Sequence, residues 1–242
     1  MKDTAWLSRT ELLIGKSGIE KLQNANVLIV GLGGVGSYCA EFIARAGVGK
    51  MTIVDGDVVD PTNRNRQLPA LNSTHGMSKA DWMYDRILDI NPEIELKKIK
   101  VFLSPEEANR IVTSENFDFV VDAIDSITPK LNLLIAAYRN KVKIVMSGGA
   151  GGKTDVTKIK VDDISKTHDC FFVRTVRKRL KREKIYSGIP VVFSPELQDK
   201  NALIRTDGSN YKRSAYGTIS YMPATFGGAC ANVVIQSILK QK

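Results

Sequence analysis

A glycine-rich turn joins an apolar run to a helix-periodic segment near the start of the chain. Residues 27–30 are uncharged and aliphatic, as in a strand buried on both faces of a parallel sheet. Gly31, Gly33 and Gly36 follow at G-x-G-x-x-G spacing, and residues 37–46 repeat apolar side chains at helical intervals. Such glycines allow a tight turn, close approach of a phosphate and close helix packing. The pattern predicts a β–α unit with an anion-binding helix start.

The next predicted strand ends in a carboxylate. Residues 51–54 are largely apolar and lead into Asp55, at about 20 residues beyond the last glycine, the spacing at which an acidic side chain accepts hydrogen bonds from ribose hydroxyls. Glycines at such turns also serve packing alone. The strand, the helix and the carboxylate together favour a nucleotide site.

A cluster of polar and basic residues after Asp55 favours chemistry on phosphates. Residues 63–67 read Asn-Arg-Asn-Arg-Gln, and Lys79 precedes an amphipathic segment at residues 80–89. A hydride-transfer enzyme holds its nicotinamide ring in a dry pocket and does not need these cations. Adenylyl transfer builds negative charge on a phosphate, which cations stabilise. Each cation alone could be a solvated surface charge, but the clustering favours Arg66 and Lys79 as phosphate contacts.

Asp125 is a further carboxylate at the end of an apolar run. Residues 117–124 predict a core strand, and Thr128 and Pro129 predict the N-cap and first residue of a helix that reaches residue 140. Open α/β sheets bind ligands at the carboxyl ends of their strands. Spacing alone leaves two roles open for Asp125, a ligand-binding carboxylate or an Asx-type cap of the loop.

The alternation of predicted strands and helices continues without a linker or a repeat. It predicts one domain over residues 1–242, of the α/β class, with a Rossmann-like, mostly parallel sheet, helices on both faces and C-terminal strands that extend the sheet. The later segments are strands at 144–146, 153–161 and 191–193, a polar stretch at 199–211 expected to be mobile, and an apolar helix at 224–239.

Composition favours a cytoplasmic protein. We find no run of the roughly 18 uncharged apolar residues that a membrane span needs, and no signal-peptide pattern, so we expect no membrane association. The cysteines Cys39, Cys170 and Cys230 are isolated in sequence, which fits reduced thiols better than disulfides. Packing is the expected role of Cys230, because it lies in an apolar helix.

The formal net charge of +9 is concentrated in one segment. Residues 166–184 contain many Lys and Arg residues against two acidic ones, and phosphodiester backbones bind such helices through counterion release. A solvated basic helix face is the alternative. The expected nucleic-acid contacts are Arg174, Arg177, Lys178, Arg179, Lys181 and Arg182.

Several of these motifs together resemble the MoeB/ThiF/ubiquitin-activating-enzyme adenylation family. They are LLIGKSGIEKLQNANVLIVGLGGVGS, TIVDGDVVDPTNRNRQ, GMSKAD and VVDAIDS, spread over residues 12–126. Within the family, INPE, residues 147–167, VRKRLKRE and GIPVVFSPE resemble the branch of tRNA threonylcarbamoyladenosine dehydratases. The resemblance covers nearly the whole chain.

The resemblance implies a set of residue roles around ATP. It implies that Gly31, Gly33 and Gly34 line the phosphates, that Asp55 holds the ribose, and that Asn63, Arg66 and Lys79 contact phosphates. It further implies that Asp125 binds Mg²⁺ and that Arg9 reaches across a homodimer to the partner's ATP. Trp6 stands where relatives commonly have an arginine, and the C-x-x-C pairs of zinc-binding relatives are absent, so we expect no structural zinc.

The same resemblance implies a reaction. ATP would adenylate the threonyl carboxylate of threonylcarbamoyladenosine in tRNA, next to the anticodon, and ring closure would release AMP, with a sulfur-transfer protein as a possible partner. Two alternatives stay open from the sequence. The first is adenylation of the C-terminal glycine of a ubiquitin-like sulfur-carrier protein, and the second is an NAD-binding Rossmann protein.

Overall fold

A seven-stranded sheet with strands in the order β3-β2-β1-β4-β5-β7-β6 forms the centre of the computed structural model, which describes residues 4–198, 200–205 and 214–241. The strands of this sheet are β1 (Asn26–Val30), β2 (Lys50–Val54), β3 (Glu95–Ile99), β4 (Phe119–Asp122), β5 (Ile144–Ser147), β6 (Lys160–Asp163) and β7 (Pro190–Phe193). A separate two-stranded sheet contains β8 (Leu203–Arg205) and β9 (Ser214–Tyr216). The helices are α1 (Ser8–Asn24), α2 (Gly36–Arg45), α3 (Lys79–Ile90), α4 (Pro105–Val112), α5 (Ile127–Arg139), α6 (Phe171–Arg182) and α7 (Tyr221–Leu239).

The strand register places the carboxyl-terminal ends of β1, β2 and β4 side by side. Val30, the last residue of β1, pairs with Val54 of β2 on one side and with Asp122 of β4 on the other, and both pairings are parallel. β5 pairs parallel with β4 and with β7, and among the described strands of this seven-stranded sheet β6 alone pairs antiparallel, with β7. Because parallel strands end at the same edge, the turns after β1, β2 and β4 are neighbours. The predicted Rossmann-like class and its C-terminal extension are confirmed.

Helices cover both faces of the sheet because successive side chains of a strand point to opposite sides. Val27 and Ile29 of β1 lie in one core cluster with residues of α1, α2, α3 and α7. Leu28 and Val30 lie in a second cluster with residues of α4, α5 and α6. The continuous burial of β1 follows from this two-sided cover.

Two local predictions are wrong. The strand expected at 153–161 begins only at Lys160, because Val156–Lys158 form a 3-10 turn that is capped by the side chain of Asp155. The helix expected to start at Thr128 and Pro129 starts at Ile127, with Ser126 at the N-cap. Proline fits the first helical turn in general because the N–H groups there lack helical partners.

Helix α7 is an exception to the expectation that no segment is long and apolar enough to span a membrane. By length and composition, Tyr221–Leu239 could cross a membrane, and it is the one described helix that passes this test. Met222, Phe226, Cys230 and Val234 are buried in the cluster that also contains α2. Within the described part of the chain, α7 is therefore a core helix.

The polar stretch at 199–211 is described only in part. Residues 200–202 form a 3-10 turn, and β8 follows directly and pairs antiparallel with β9. Asp199 and residues 206–211 lie outside the described residues, so the expected mobility of this stretch stays a prediction.

Candidate functional site

The glycines of the turn after β1 differ in the space beside their backbone. One of them has room for a ligand to approach, whereas the others have close neighbours or a left-handed conformation. Gly31 has φ +91°, a conformation that favours glycine, and a Cβ on Gly36 would lie 1.7 Å from the Gly31 carbonyl oxygen. A Cβ on Gly34 would lie 2.8 Å from Cβ of Pro223. The nearest described atom to a Cβ on Gly33 is Nε2 of Gln67, at 3.6 Å. Gly33 therefore offers the open backbone of the turn, whereas Gly34 packs against α7.

Asp55 connects this turn to the loop after β2. Its Oδ2 accepts a hydrogen bond of 2.6 Å from the Leu32 N–H, and its Oδ1 accepts one of 2.7 Å from the Asp57 N–H. Burial raises the pKa of Asp55, while nearby Lys79 and the two backbone donors act in the opposite direction. Each carboxylate oxygen has a second lone pair, so Asp55 can also accept from ribose hydroxyls.

Arg66 lies beside the glycine turn, since a Cβ on Gly34 would lie 3.3 Å from the Arg66 carbonyl oxygen, and it is close enough to Asp125 for their charges to interact. Arg66 Nη1 donates to the Thr62 carbonyl oxygen at 3.1 Å and to Asn65 Oδ1 at 2.8 Å. Burial lowers the pKa of Arg66, and the negative charge of Asp125 opposes this effect. The structure thus brings together two predicted site residues that are far apart in sequence.

Asn63 belongs to the 3-10 turn that precedes Arg66. The turn Pro61–Asn63 is capped by Asp60, whose Oδ1 accepts from the Thr62 N–H at 2.8 Å, and Asn63 Oδ1 accepts from the Asp60 N–H at 3.3 Å. This capping box holds Asn63 at the start of the arginine segment. The Asn63 amide nitrogen remains the group that could contact a phosphate.

Lys79 lies at the first position of α3, beside the loop after β2. Only 5% of the residue is exposed, and its Nζ lies 3.1 Å from Asp57 Oδ2. Its backbone N–H donates to the Asp57 carbonyl oxygen at 3.1 Å. Because Asp57 also donates to Asp55, the ammonium group is held at the same sheet edge as the ribose candidate.

A buried ion pair shapes the turn that presents Asp125. Lys130 and Asp122 are both fully buried, with 2.7 Å between Lys130 Nζ and Asp122 Oδ2. Lys130 Nζ also donates to the Ser147 carbonyl oxygen at 3.0 Å, and Asp122 Oδ1 accepts from the Ile124 N–H at 3.1 Å. Asp122 therefore makes an Asx-type turn three residues before Asp125, and Asp125 itself is exposed.

Sequence reasoning missed two residues of this region. Lys130 could have been noticed as a lysine flanked by the apolar positions of α5. Gln67 ends the basic motif, and its Oε1 is buried without a hydrogen-bond partner among the described residues. A buried polar atom of this kind beside Gly33 indicates a ligand-facing position.

Arg9 does not lie beside the glycine turn of its own chain. Leu7, two residues earlier, packs on Gly47 at the amino end of β2, which is the sheet edge opposite the turn. The exposed fractions of Leu12 and Leu13 on α1 are 84% and 85%. The predicted role of Arg9 therefore requires a second chain.

The basic residues of α6 divide into two groups. Arg177 Nη1 donates to the carbonyl oxygens of Ile164 and Thr167 and to Thr167 Oγ1, so this arginine anchors the helix to the preceding loop. This structural use argues against the expected nucleic-acid contact of Arg177. The other predicted contacts are exposed, namely Arg174, Lys178, Arg179, Lys181 and Arg182.

The cysteines of the core are poor nucleophiles. Cys39 and Cys230 are fully buried and belong to the same cluster. Burial raises the pKa of Cys230 to about 12, so its thiol stays protonated near neutral pH. This fits the packing role expected from the sequence.

Comparisons with known proteins agree with this arrangement. A tRNA threonylcarbamoyladenosine dehydratase of Bacillus subtilis (strain 168) is 40% identical over 240 residues, which cover 96% of this chain and 94% of that protein. A protein of Escherichia coli (strain K12) with the same name is 34% identical, with 97% and 95% covered. The crystal structure of the E. coli dehydratase TcdA in complex with ATP superposes with a TM-score of 0.87, at 34% identity and with 99% and 97% covered. The ThiF family profile matches residues 7–242, so this chain belongs to the ThiF family.

Proposed function

We propose that this chain is an ATP-dependent dehydratase that converts threonylcarbamoyladenosine in tRNA to its cyclic form. The observation that carries the proposal is the meeting of Arg66, Lys79 and Asp125 at the sheet edge that presents the open backbone of Gly33. Similarity over nearly the full length to proteins named for this reaction supports the substrate.

The first step is adenylation of the threonyl carboxylate. A carboxylate oxygen attacks the α-phosphorus of ATP, the bond to the bridging oxygen breaks, and pyrophosphate leaves. Negative charge grows on the phosphate oxygens during this step, and positioned cations stabilise it. Arg66 and Lys79 supply the positive charge, Gly33 and the start of α2 supply backbone N–H groups, and Asp55 orients the ribose.

The second step closes the ring. A nucleophilic atom of the same modification attacks the activated acyl carbon and loses its proton to solvent. The bond between the acyl carbon and the AMP oxygen breaks, and AMP leaves with that former carboxylate oxygen, so the substrate loses one water overall. An internal nucleophile is already close to the acyl carbon and needs no enzyme thiol. The protonated, buried state of Cys230 is compatible with this route.

We propose that Asp125 supplies the one protein carboxylate that would hold Mg²⁺ together with the phosphates of ATP. Mg²⁺ is usually held by one or two carboxylates together with substrate phosphates and water. Asp125 is an exposed carboxylate whose charge acts on Arg66, the residue proposed to contact the phosphates. Bound Mg²⁺ would neutralise phosphate charge there.

A homodimer would complete the site. The separation of Arg9 from its own glycine turn, together with the exposed Leu12 and Leu13, supports a dimer in which Arg9 contacts the partner's ATP. A sulfur-transfer protein partner and a cytoplasmic location stay predictions.

The alternatives make different predictions. Activation of a sulfur-carrier protein predicts ATP–pyrophosphate exchange that depends on that protein and does not change when tRNA is added. An NAD-binding protein would be protected by NAD against thermal unfolding, and ATP would have no such effect. Full-length similarity to dehydratases favours the tRNA reaction over both.

The decisive experiment measures AMP and pyrophosphate release from MgATP with tRNA that carries threonylcarbamoyladenosine, followed by mass analysis of the digested nucleosides. We expect AMP formation together with the loss of one water from the modified nucleoside. Unmodified tRNA is the control and should give neither product. ATP turnover without the mass loss would contradict the dehydration of tRNA and favour a carrier protein as the substrate.

A further inference from the structure

We propose that Phe171 and Arg174 form a stacking platform for an unstacked RNA base at the rim of the candidate site. The proposal rests on the proposed function, because it names the part of the enzyme that would hold the loop of its tRNA substrate. It adds an aromatic contact to the basic residues that the sequence indicated.

The start of α6 lies at the same sheet edge as the site. Cys170 Sγ is 3.6 Å from the Gly148 carbonyl oxygen, and a Cβ on Gly149 would lie 3.6 Å from the Phe172 ring. The Phe172 ring centroid is 5.6 Å from Lys130 Nζ, which binds Asp122. Since these groups follow β4 and β5, the first turn of α6 borders the turn that presents Asp125.

Phe171 has the exposure and the neighbour that base stacking requires. The residue is 62% exposed, next to the buried Cys170 and the partly buried Phe172. Arg174 Cζ lies 5.2 Å from the Phe171 ring centroid, so the guanidinium group is within cation–π distance of the ring. Single-stranded nucleic acids bind through aromatic rings on which bases stack and through arginine planes beside them.

Charge complementarity favours a nucleic-acid occupant, and the proposed function makes that occupant RNA. Four further exposed cations of α6 continue from the platform along the helix, and such residues bind phosphates. They are Lys178, Arg179, Lys181 and Arg182. A helix of this length spans about 18 Å, so one element can hold a base at its first turn and the backbone further along.

A single-stranded loop fits the platform better than a duplex. Bases inside a duplex are stacked on each other and do not expose a face to a side chain, whereas loop bases can be splayed out. The resemblance implies that the modified adenosine lies next to the anticodon, which is in a loop. A neighbouring base stacked on Phe171 would hold this loop while the threonyl carboxylate reaches ATP.

The test compares binding of an anticodon stem-loop that carries threonylcarbamoyladenosine with binding of a fully paired RNA duplex of equal length. We expect Phe171→Ala to weaken stem-loop binding about tenfold, the scale of one lost base–aromatic stack. Duplex binding and the KM for ATP should stay within twofold of the wild type. Phe171→Trp should restore stem-loop binding, because it keeps an aromatic face.

Two matched variants separate stacking from charge and from general exposure. Arg174→Lys keeps the charge and loses the planar group, so we expect weaker stem-loop binding with an unchanged salt dependence. Tyr186→Ala removes another exposed aromatic, beyond the far end of α6, and should leave binding unchanged.

Two results would each contradict the stacking platform while leaving the proposed function intact. These are stem-loop binding within twofold of the wild type in Phe171→Ala, or an equal loss in Tyr186→Ala. A wild-type protein that neither binds nor converts the modified RNA would overturn the proposed function as well, so the two failures are distinguishable.

Discussion

At the scale of single residues, Arg66 and Lys79 carry the positive charge beside the glycine turn, and Arg64 offers a matched comparison. We predict that Arg66→Ala and Lys79→Ala each reduce adenylation at least about 100-fold, because each removes a charge contact made to the transition state. Arg64 is exposed and donates to Asn72 Oδ1 at 2.8 Å, so Arg64→Ala should stay near wild-type activity. Pyrophosphate exchange measures the effect, and thermal unfolding checks the fold.

The buried pair of Lys130 and Asp122 belongs to the same scale. We predict that Lys130→Met lowers the free energy of unfolding by about 3–5 kcal/mol, because it leaves the Asp122 charge buried without its cation. The double variant with Asp122→Asn removes both charges and should recover part of this loss. Urea denaturation provides the measurement. Simple addition of the two single effects would contradict the predicted coupling.

At the scale of elements, Glu41 connects two helices on one face of the sheet. It lies on α2 and is 9% exposed, and Arg86 of α3 donates to it through Nη2 at 3.1 Å. Arg45 donates from within α2 at 2.9 Å. Burial raises the pKa of Glu41, but the hydrogen bonds and charges of the two arginines outweigh it and leave the pKa below its ordinary value.

This balance predicts a pH-dependent contribution to stability. A carboxylate with a lowered folded-state pKa stabilises the fold above its unfolded pKa of about 4.3, and the stabilisation is lost as the pH falls through the lower, folded value. We expect Glu41→Gln to lower the free energy of unfolding by about 1.5–3 kcal/mol at pH 7 and by less near pH 3.5. Urea unfolding at pH 7, 5 and 3.5 gives the comparison. A difference that stays constant over this range would disprove the role of the charge.

At the scale of the whole molecule, the position of Arg9 predicts an active site made by two chains. We expect Arg9→Ala and Asp125→Ala to be inactive as separate proteins. After they are mixed and exchange subunits, about a quarter of the wild-type activity should return, because half of the dimers are mixed and each mixed dimer has one intact site.

The mixed preparation also distinguishes the two possible positions of Arg9. If Arg9 acted within its own chain, each chain of the mixed dimer would lack one essential group and no activity would return. A matched mixture of Arg66→Ala and Asp125→Ala is the control. It should stay inactive, because both residues belong to the same site of one chain.

The amino-acid sequence alone determined the parallel sheet, the glycine turn and the positions of Asp55, Arg66, Lys79 and Asp125 in the segments that follow β2 and β4. These features depend on side-chain periodicity and on glycine spacing, which act between near neighbours in the chain. Only the tertiary structure decided which groups meet. Lys153 binds carbonyl oxygens some forty residues later, and Lys130 reaches Ser147 of another strand. Such partners come together only when the strands align, because a polar group that becomes buried then loses water and is stabilised by a hydrogen-bond partner within the protein.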